Sequence, residues 1–348
     1  MAKMKAYRMI NWEEKPEKVE VDVPVPGYGE VLIKVAGNGL CHSDITMQNM
    51  PGEMVEPIGW RVPFTLGHEI GGYIHSVGEG VTGYAKGEPV VLTSSSFCGE
   101  CEYCLRGQTN NCDYGLAGRG YGKDGGLAEY VLVSNQKHII KLKNLDPIKA
   151  APLTDAGATS YHAVKRVLPY LVPGSTVAVV GAGGLGSYAI QFLNALTTAK
   201  IIAIDLNEER LEIAKRLGAD ETVTGVNDDT EEKIYELTNK RGVEVVLDFA
   251  GFDNTIEFAL KVIRKAGAYG LVGAGQGKLD KPWYGGLPLD AEIFNFQGGS
   301  LSDIKEVIAL AENGDIQLNV DEYSFDEIER AYDDMENGRL NGRAVIVF

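Results

Sequence analysis

The chain has 348 residues, with 33 Lys and Arg against 49 Asp and Glu, and a formal net charge of −16. With no basic cluster, that balance argues against nucleic acid or an anionic membrane surface as a partner. Residues 1–10 show no secretory-leader pattern and no apolar run reaches about 18 residues, so the expectation is a cytoplasmic protein long enough for two domains, each with its own core.

Up to about residue 150 the texture is that of short strands broken by glycine-rich turns, clearest at 31–35 and 128–133. All five cysteines lie in this stretch. Cys98, Cys101, Cys104 and Cys112 are spaced C-x-x-C-x-x-C and then once more. That spacing is too tight for two relaxed disulfides, and four thiolates close a tetrahedral zinc shell that leaves no position for a substrate. Cys41, in Gly39-Leu40-Cys41-His42-Ser43-Asp44, pairs in the sequence with His68 of Gly67-His68-Glu69. One Cys and one distant His make an incomplete shell, which is what catalysis needs. Thiolates committed to metal suit a reducing compartment.

From about residue 175 strands and helices alternate. Residues 176–180 (TVAVV) form a continuous apolar run, as in a parallel strand buried on both faces. A helix is predicted from about 184, a second strand over 200–204, and a helix near 208–217 that carries Leu211, Ala214 and Leu217 and stops at Gly218. Strands over 244–248 and 268–272 flank an amphipathic helix with Ile256, Leu260 and Ile263. Two helices follow after about 300, one with Ile304, Val307, Ile308 and Ala311 on a single face, and then a last strand over 344–348. Repeated βαβ units predict an α/β fold with a doubly wound parallel sheet.

The loop Gly181-Ala182-Gly183-Gly184-Leu185-Gly186 directly follows the first buried strand and opens a helix. Glycines at these spacings permit a tight turn and close backbone approach to a pyrophosphate, with the helix N-terminus facing the phosphates. Asp205, at the end of the second strand, suits the ribose hydroxyls and repels a 2′-phosphate; Leu206 and Asn207 supply no cation for one, so NAD is expected over NADP. A helix-capping acid is the alternative reading of Asp205. Arg210, early in the next helix, completes the candidate cofactor set.

Taken together, Gly67-His68-Glu69-x-x-Gly72, Gly78, Val81, the four-cysteine lobe, the glycine loop and residues 153–160 (LTDAGATS) resemble the medium-chain zinc-dependent alcohol dehydrogenases over essentially the whole chain, and in particular the prokaryotic and archaeal secondary alcohol dehydrogenases. The resemblance implies a GroES-like, mostly antiparallel catalytic domain over 1–156 and 299–348, with a Rossmann NAD-binding domain over 157–298. It implies two zinc ions per chain, with Asp155 as third ligand beside Cys41 and His68 where many members have Cys. Ser43 falls where the family takes the alcohol proton and His42 where a basic residue faces the coenzyme pyrophosphate. Asp44 and Glu69 match groups around the metal, Thr159 one near the nicotinamide, and Arg343 one on a coenzyme phosphate. Thr46 stands where some members have the His that ends the proton relay, which leaves that end open. The implied reaction is hydride transfer between NAD(H) and an alcohol/ketone pair in a cleft between the domains.

A polyol or sugar dehydrogenase of the same family is the nearest alternative, and a zinc-free quinone reductase a more distant one. The resemblance places Ser94-Ser95-Ser96 and Ala117 at the substrate channel, where relatives carry large rings, which implies a wide pocket for bulky secondary or cyclic alcohols unless Trp60 or another loop residue fills the space. The resemblance implies a homo-oligomer, dimer or tetramer, built by pairing the apolar edge strand near 292–296.

Overall fold

The computed structural model describes residues 2–348, which divide into two compact units. One comprises the chain up to Ala158 together with Gly298–Gly314 and Leu318–Phe348; the other comprises Thr159–Gln297 and Asp315–Gln317.

The first unit is built on a seven-stranded sheet. Its central strand, Val31–Gly39, pairs antiparallel with Glu69–Val77, with Tyr130–Val133 and with the final strand Arg343–Val347. Val31, Ile33 and Val35 alternate inward and meet Ile70, Ile74, Val90, Leu92 and Val131, so the period-2 pattern of the sequence becomes one face of the core. A second core gathers Leu40, Met47, Trp60, Phe64 and Leu66 around the buried face of the helix Ile328–Glu336. These two cores fix both ends of the segment that carries Cys41 and His68.

The second unit holds a six-stranded parallel sheet in the order Glu221–Thr224, Lys200–Asp205, Thr176–Val180, Val243–Asp248, Ile263–Leu271, Glu292–Asn295. Thr176–Val180 and Val243–Asp248 are buried at every position, as apolar runs covered on both faces must be. The strand order reverses beside Thr176–Val180, and in such a sheet the crevice at the strand C-termini at that point is where ligands bind. The glycine loop leaves the sheet there.

Three local features differ from the periodicity. Ile263 begins a strand instead of continuing the amphipathic helix, which ends at Val262. The early strand at 128–133 is regular only over Tyr130–Val133. Glu221–Thr224 and the helix Asp228–Leu237 fill a stretch whose apolar residues are too sparse to betray them. Gly218 does close the helix Glu208–Arg216 region in a left-handed conformation, φ 115°. Among the described residues no helix is long and apolar enough to cross a membrane.

Candidate active site

Cys98, Cys101, Cys104 and Cys112 bring their sulfurs within 4.8 Å of one another, and none forms a disulfide. Cys98 and Cys104 lie 4.0 Å apart and Cys101 and Cys112 3.9 Å. A tetrahedron with Zn–S bonds of about 2.3 Å has edges of about 3.8 Å, so the set fits the ion without rearrangement. Backbone N–H groups of Cys98, Glu100, Cys101 and Tyr114 already donate to the sulfurs of Cys98 and Cys112. Donation from the peptides of Cys104 and Asp113 brings the Cys101 thiol down to about 7. Burial pushes Cys104 up to about 12 and raises Cys112, so a full set of four thiolates needs the cation.

The second cluster joins Cys41, His68, Glu69 and Asp155, again within 4.8 Å. Cys41 ends the turn after Val31–Gly39 and caps the helix His42–Gln48. His68 follows Gly67, whose φ of +94° and lack of a side chain let it pass Asn38, where a Cβ would come within 2.6 Å. Gly39 opens room for Glu69 in the same way, since a Cβ there would lie 1.9 Å from the carboxylate. Asp155 closes the short helix Ala151–Thr154 and places Oδ2 3.6 Å from both Cys41 Sγ and His68 Nε2.

The electrostatics are those of a cation site. Burial opposes ionisation of Asp155, but His68, Arg343 and Cys41 outweigh it and bring the carboxyl down to about 2. Burial likewise opposes a charged His68, yet Tyr121, Asp44 and Asp155 raise it well above the ordinary imidazole value. Such a pocket takes a positive charge, either a proton on His68 or a metal on Cys41, His68 and Asp155, and only the metal uses all three donors at once. The thiolate, imidazole and carboxylate set with one position left open is of the kind catalytic zinc sites use.

Asp44, fully buried, faces His68 Nδ1 at 3.4 Å, where it can hold the ring so that Nε2 points at Cys41 and Asp155. Arg343, expected at a coenzyme phosphate, is buried and donates from Nε and Nη2 to Glu69, with Nη2 4.0 Å from Asp155. Burial still pushes Glu69 up to about 7 against that pull. Ser43 is half-buried beside the cluster, while His42 and Thr46 are exposed on the same helix and the Thr46 hydroxyl donates to the His42 carbonyl. Thr159 lies half-buried on the helix Ala156–Val167.

One member of the site escapes sequence reasoning. Tyr121 places its hydroxyl 3.1 Å from Ser43 Oγ and 3.2 Å from His68 Nε2, and its ring lies 4.6 Å from the imidazole. Gly120 and Gly122 flank it at φ +74° and +76°; a Cβ at the first would meet the Gly67 backbone and at the second Trp60. An aromatic residue between two such glycines is the available signal. Trp60 is buried against Tyr121, ring centroids 5.8 Å apart. Ser96 and Ala117, expected to widen the substrate pocket, line instead a cavity of about 630 Å³ with Cys98 and Arg119, and Ser94 donates to the Thr154 carbonyl.

In the second unit Gly181 takes φ +87°, and a Cβ on Gly186 would stand 1.8 Å from the Gly181 carbonyl oxygen. Both glycines are required by the turn; Gly183 and Gly184 between them are half-buried. Leu185 caps the helix Gly186–Leu196, and its carbonyl accepts from Ser160. Asp205 Oδ2 accepts from Ala182 N at 2.8 Å and Oδ1 from Asn207 N at 2.9 Å, so this carboxylate also ties the glycine loop to the strand end. The helix cap beyond it is Asn207, not Asp205. The Arg210 guanidinium lies 3.7 Å from where a Gly183 Cβ would be.

The family profile of the alcohol dehydrogenase GroES-like domain matches residues 27–144 and that of the zinc-binding dehydrogenases residues 184–313. An NAD-dependent alcohol dehydrogenase of Sulfurisphaera tokodaii is 38% identical over 99% of this chain and 100% of its own length. A D-arabinose 1-dehydrogenase (NADP(+)) of Saccharolobus solfataricus is 32% identical over 99% of this chain and 98% of its own. Among solved structures, the alcohol dehydrogenase of Aeropyrum pernix superposes with a TM-score of 0.91 at 36% identity, covering 99% of this chain and 100% of that one.

Proposed function

This chain belongs to the zinc-binding alcohol dehydrogenase family, and we propose that it moves a hydride between NAD(H) and a small alcohol/ketone pair, the alcohol being secondary or cyclic. The observation that carries the reading is the convergence of Cys41, His68 and Asp155 with Ser43 beside them, in a chain that also holds a closed four-cysteine set. When bound, zinc on the three-ligand set supplies a Lewis acid for the alcohol oxygen, and NAD supplies the hydride acceptor.

The chain's own groups do the rest. Ser43 Oγ takes the alcohol proton as it gives up its own, which leaves through the coenzyme ribose hydroxyl and water, and the Tyr121 hydroxyl is its hydrogen-bond partner. Burial raises Tyr121 well above the ordinary phenol value, so its hydroxyl keeps its proton and stays available as a donor. Asp44 orients His68. Gly181, Gly183, Gly184, Leu185 and Gly186 let the backbone approach the pyrophosphate, Asp205 accepts the ribose hydroxyls, and Arg210 supplies positive charge beside the loop. His42 and Thr159 are assigned to the coenzyme side of the reaction, while Arg343, buried against Glu69 and near Asp155, balances charge at the metal set.

A sugar substrate is the second reading, favoured by the D-arabinose 1-dehydrogenase relative. Asp205 separates the two, since that relative is named for NADP(+) and a carboxylate at the strand end disfavours the extra phosphate. The structural lobe of free thiols supports a cytoplasmic setting, and the edge strand Glu292–Asn295 supports a homo-oligomer. The deciding experiment is a panel of primary, secondary and cyclic alcohols and D-arabinose with NAD⁺ and NADP⁺, run beside a zinc count. No turnover of any alcohol, or about one zinc per chain, sinks the proposal.

A further inference from the structure

The Asp44 carboxylate is buried and, among the described residues, no Lys or Arg is paired with it, so its oxygens have to be met by hydrogen-bond donors. Oδ2 accepts from the peptide N–H of Cys41 at 3.0 Å and from the Tyr332 hydroxyl at 3.1 Å. Oδ1 is left facing His68 Nδ1 at 3.4 Å. Two of the three proposed metal-ligand residues thus meet one carboxylate, Cys41 through a backbone hydrogen bond and His68 with its ring nitrogen facing the free oxygen.

The third donor comes from far away in the sequence. Tyr332 lies on the buried face of the helix Ile328–Glu336, packed with Ile328, Ala331 and Met335, and its ring stacks on Tyr7 at 6.2 Å. That packing leaves the hydroxyl no freedom to turn away. A carboxylate rotates easily about its last torsion. The Cys41 N–H restrains that rotation from one side of Oδ2, and the Tyr332 hydroxyl adds the second point that aims Oδ1 at His68.

We propose that Tyr332 is a positioning residue for the three-ligand metal site, acting through Asp44 on Cys41 and His68. The inference rests on the reading that Cys41, His68 and Asp155 hold zinc. Groups that orient metal-bound imidazoles commonly change metal affinity by about 10- to 100-fold when removed. Tyr332→Phe keeps the ring and its stacking and deletes only the donor.

The test is zinc release from the intact protein into excess chelating dye, which needs no turnover. Tyr332→Phe should release one zinc about tenfold faster than wild type while the zinc of the four-cysteine lobe leaves at its usual rate. In an Asp44→Asn background the same substitution should add little, because the group it acts through has changed. Unchanged release, equal acceleration of both zincs, or full additivity with Asp44→Asn would overturn the proposal. A wild-type chain that releases two zincs with Tyr332→Phe indistinguishable from it refutes only this inference. A wild type with zinc in the lobe alone refutes the functional reading as well.

Discussion

The Tyr121 hydroxyl stands within 3.2 Å of both Ser43 Oγ and His68 Nε2, so a single side chain touches the proposed proton acceptor and a proposed metal ligand. Its ring packs against Trp60 in the same core as Ala117.

Two substitutions at Tyr121 should therefore have different effects. Tyr121→Phe removes the partner of Ser43 and should lower kcat/KM for every alcohol by roughly tenfold, the order of a lost hydrogen bond at 1–1.5 kcal/mol. Tyr121→Ala opens an aromatic-sized space, and a bulkier substrate that fills it gains about 25 cal/mol per Å² of apolar surface. The kcat/KM ratio of 1-phenylethanol to ethanol should rise in Tyr121→Ala and not in Tyr121→Phe. A ratio that stays at the wild-type value in both would remove Tyr121 from the substrate wall.

The two metal sites should separate by mutation. Cys41→Ala breaks the open set and should abolish turnover while leaving the fold and about one zinc per chain. Cys104→Ala breaks the closed set, whose binding energy is folding energy, and should lower the thermal midpoint or the soluble yield. Metal analysis with thermal unfolding reads both, and an active Cys41→Ala protein with no added metal contradicts the assignment.

Coenzyme choice should turn on Asp205. The wild type should favour NAD⁺ over NADP⁺ by about 100-fold or more in kcat/KM, since a carboxylate beside a phosphate costs several kcal/mol by order of magnitude. Asp205→Gly with Leu206→Arg should move preference towards NADP⁺. Because Asp205 also anchors Ala182, the double variant should lose some affinity for both coenzymes. Equal efficiency with both coenzymes in the wild type would show that the strand end does not discriminate.

Legibility of this chain followed the range of the interactions. The cysteine lobe is read within one short segment, and the strand Thr176–Val180 with its glycine loop from a contiguous run, so local spacing suffices for both. Cys41 and His68 are read as an incomplete shell but carry no spacing pattern with Asp155; the resemblance adds Asp155, and the folded chain brings all three within reach of one another. Tyr121 meets Ser43 across 78 positions and Arg343 meets Glu69 across 274, pairings that depend on how turns and sheet register deliver side chains. The short strand Glu221–Thr224 is half-buried without alternation, so its residues give no period to detect.

Acid stability should depend on His138. This residue is buried, its Nε2 donates to the Phe97 carbonyl and its Nδ1 accepts from Arg119. Burial, then the Arg119 cation, lower its pKa to about 4. An unfolded histidine titrates near 6.5, so between about 6.5 and 4 the unfolded chain binds a proton that the native state refuses. The native advantage is complete above about 6.5 and falls with pH, by roughly 2 kcal/mol between pH 7 and 5. Denaturant unfolding at the two pH values should show that much less loss in His138→Gln than in wild type. Equal losses would mean His138 is protonated in the folded protein.

Assembly gives the last prediction. Glu292–Asn295 is paired on one side only, with Ile263–Leu271, and forms the edge of the parallel sheet. Its residues are held in place from within the same unit: Glu292 binds Arg166 at 2.9 Å and the Tyr170 hydroxyl at 2.8 Å, and the Arg166 guanidinium lies 4.0 Å over the Phe294 ring. An ordered edge with Ile293 and Phe294 and few charges of its own is a template for a second strand, and natural edges that stay single are usually broken by charge, proline or a bulge. Light scattering at micromolar concentration should give at least twice the 37.6 kDa chain mass. Asn295→Lys, at an exposed position of the edge away from either proposed zinc site, should shift the population towards monomer. A wild type that scatters as a monomer, or an Asn295→Lys variant with unchanged mass, overturns association through this edge.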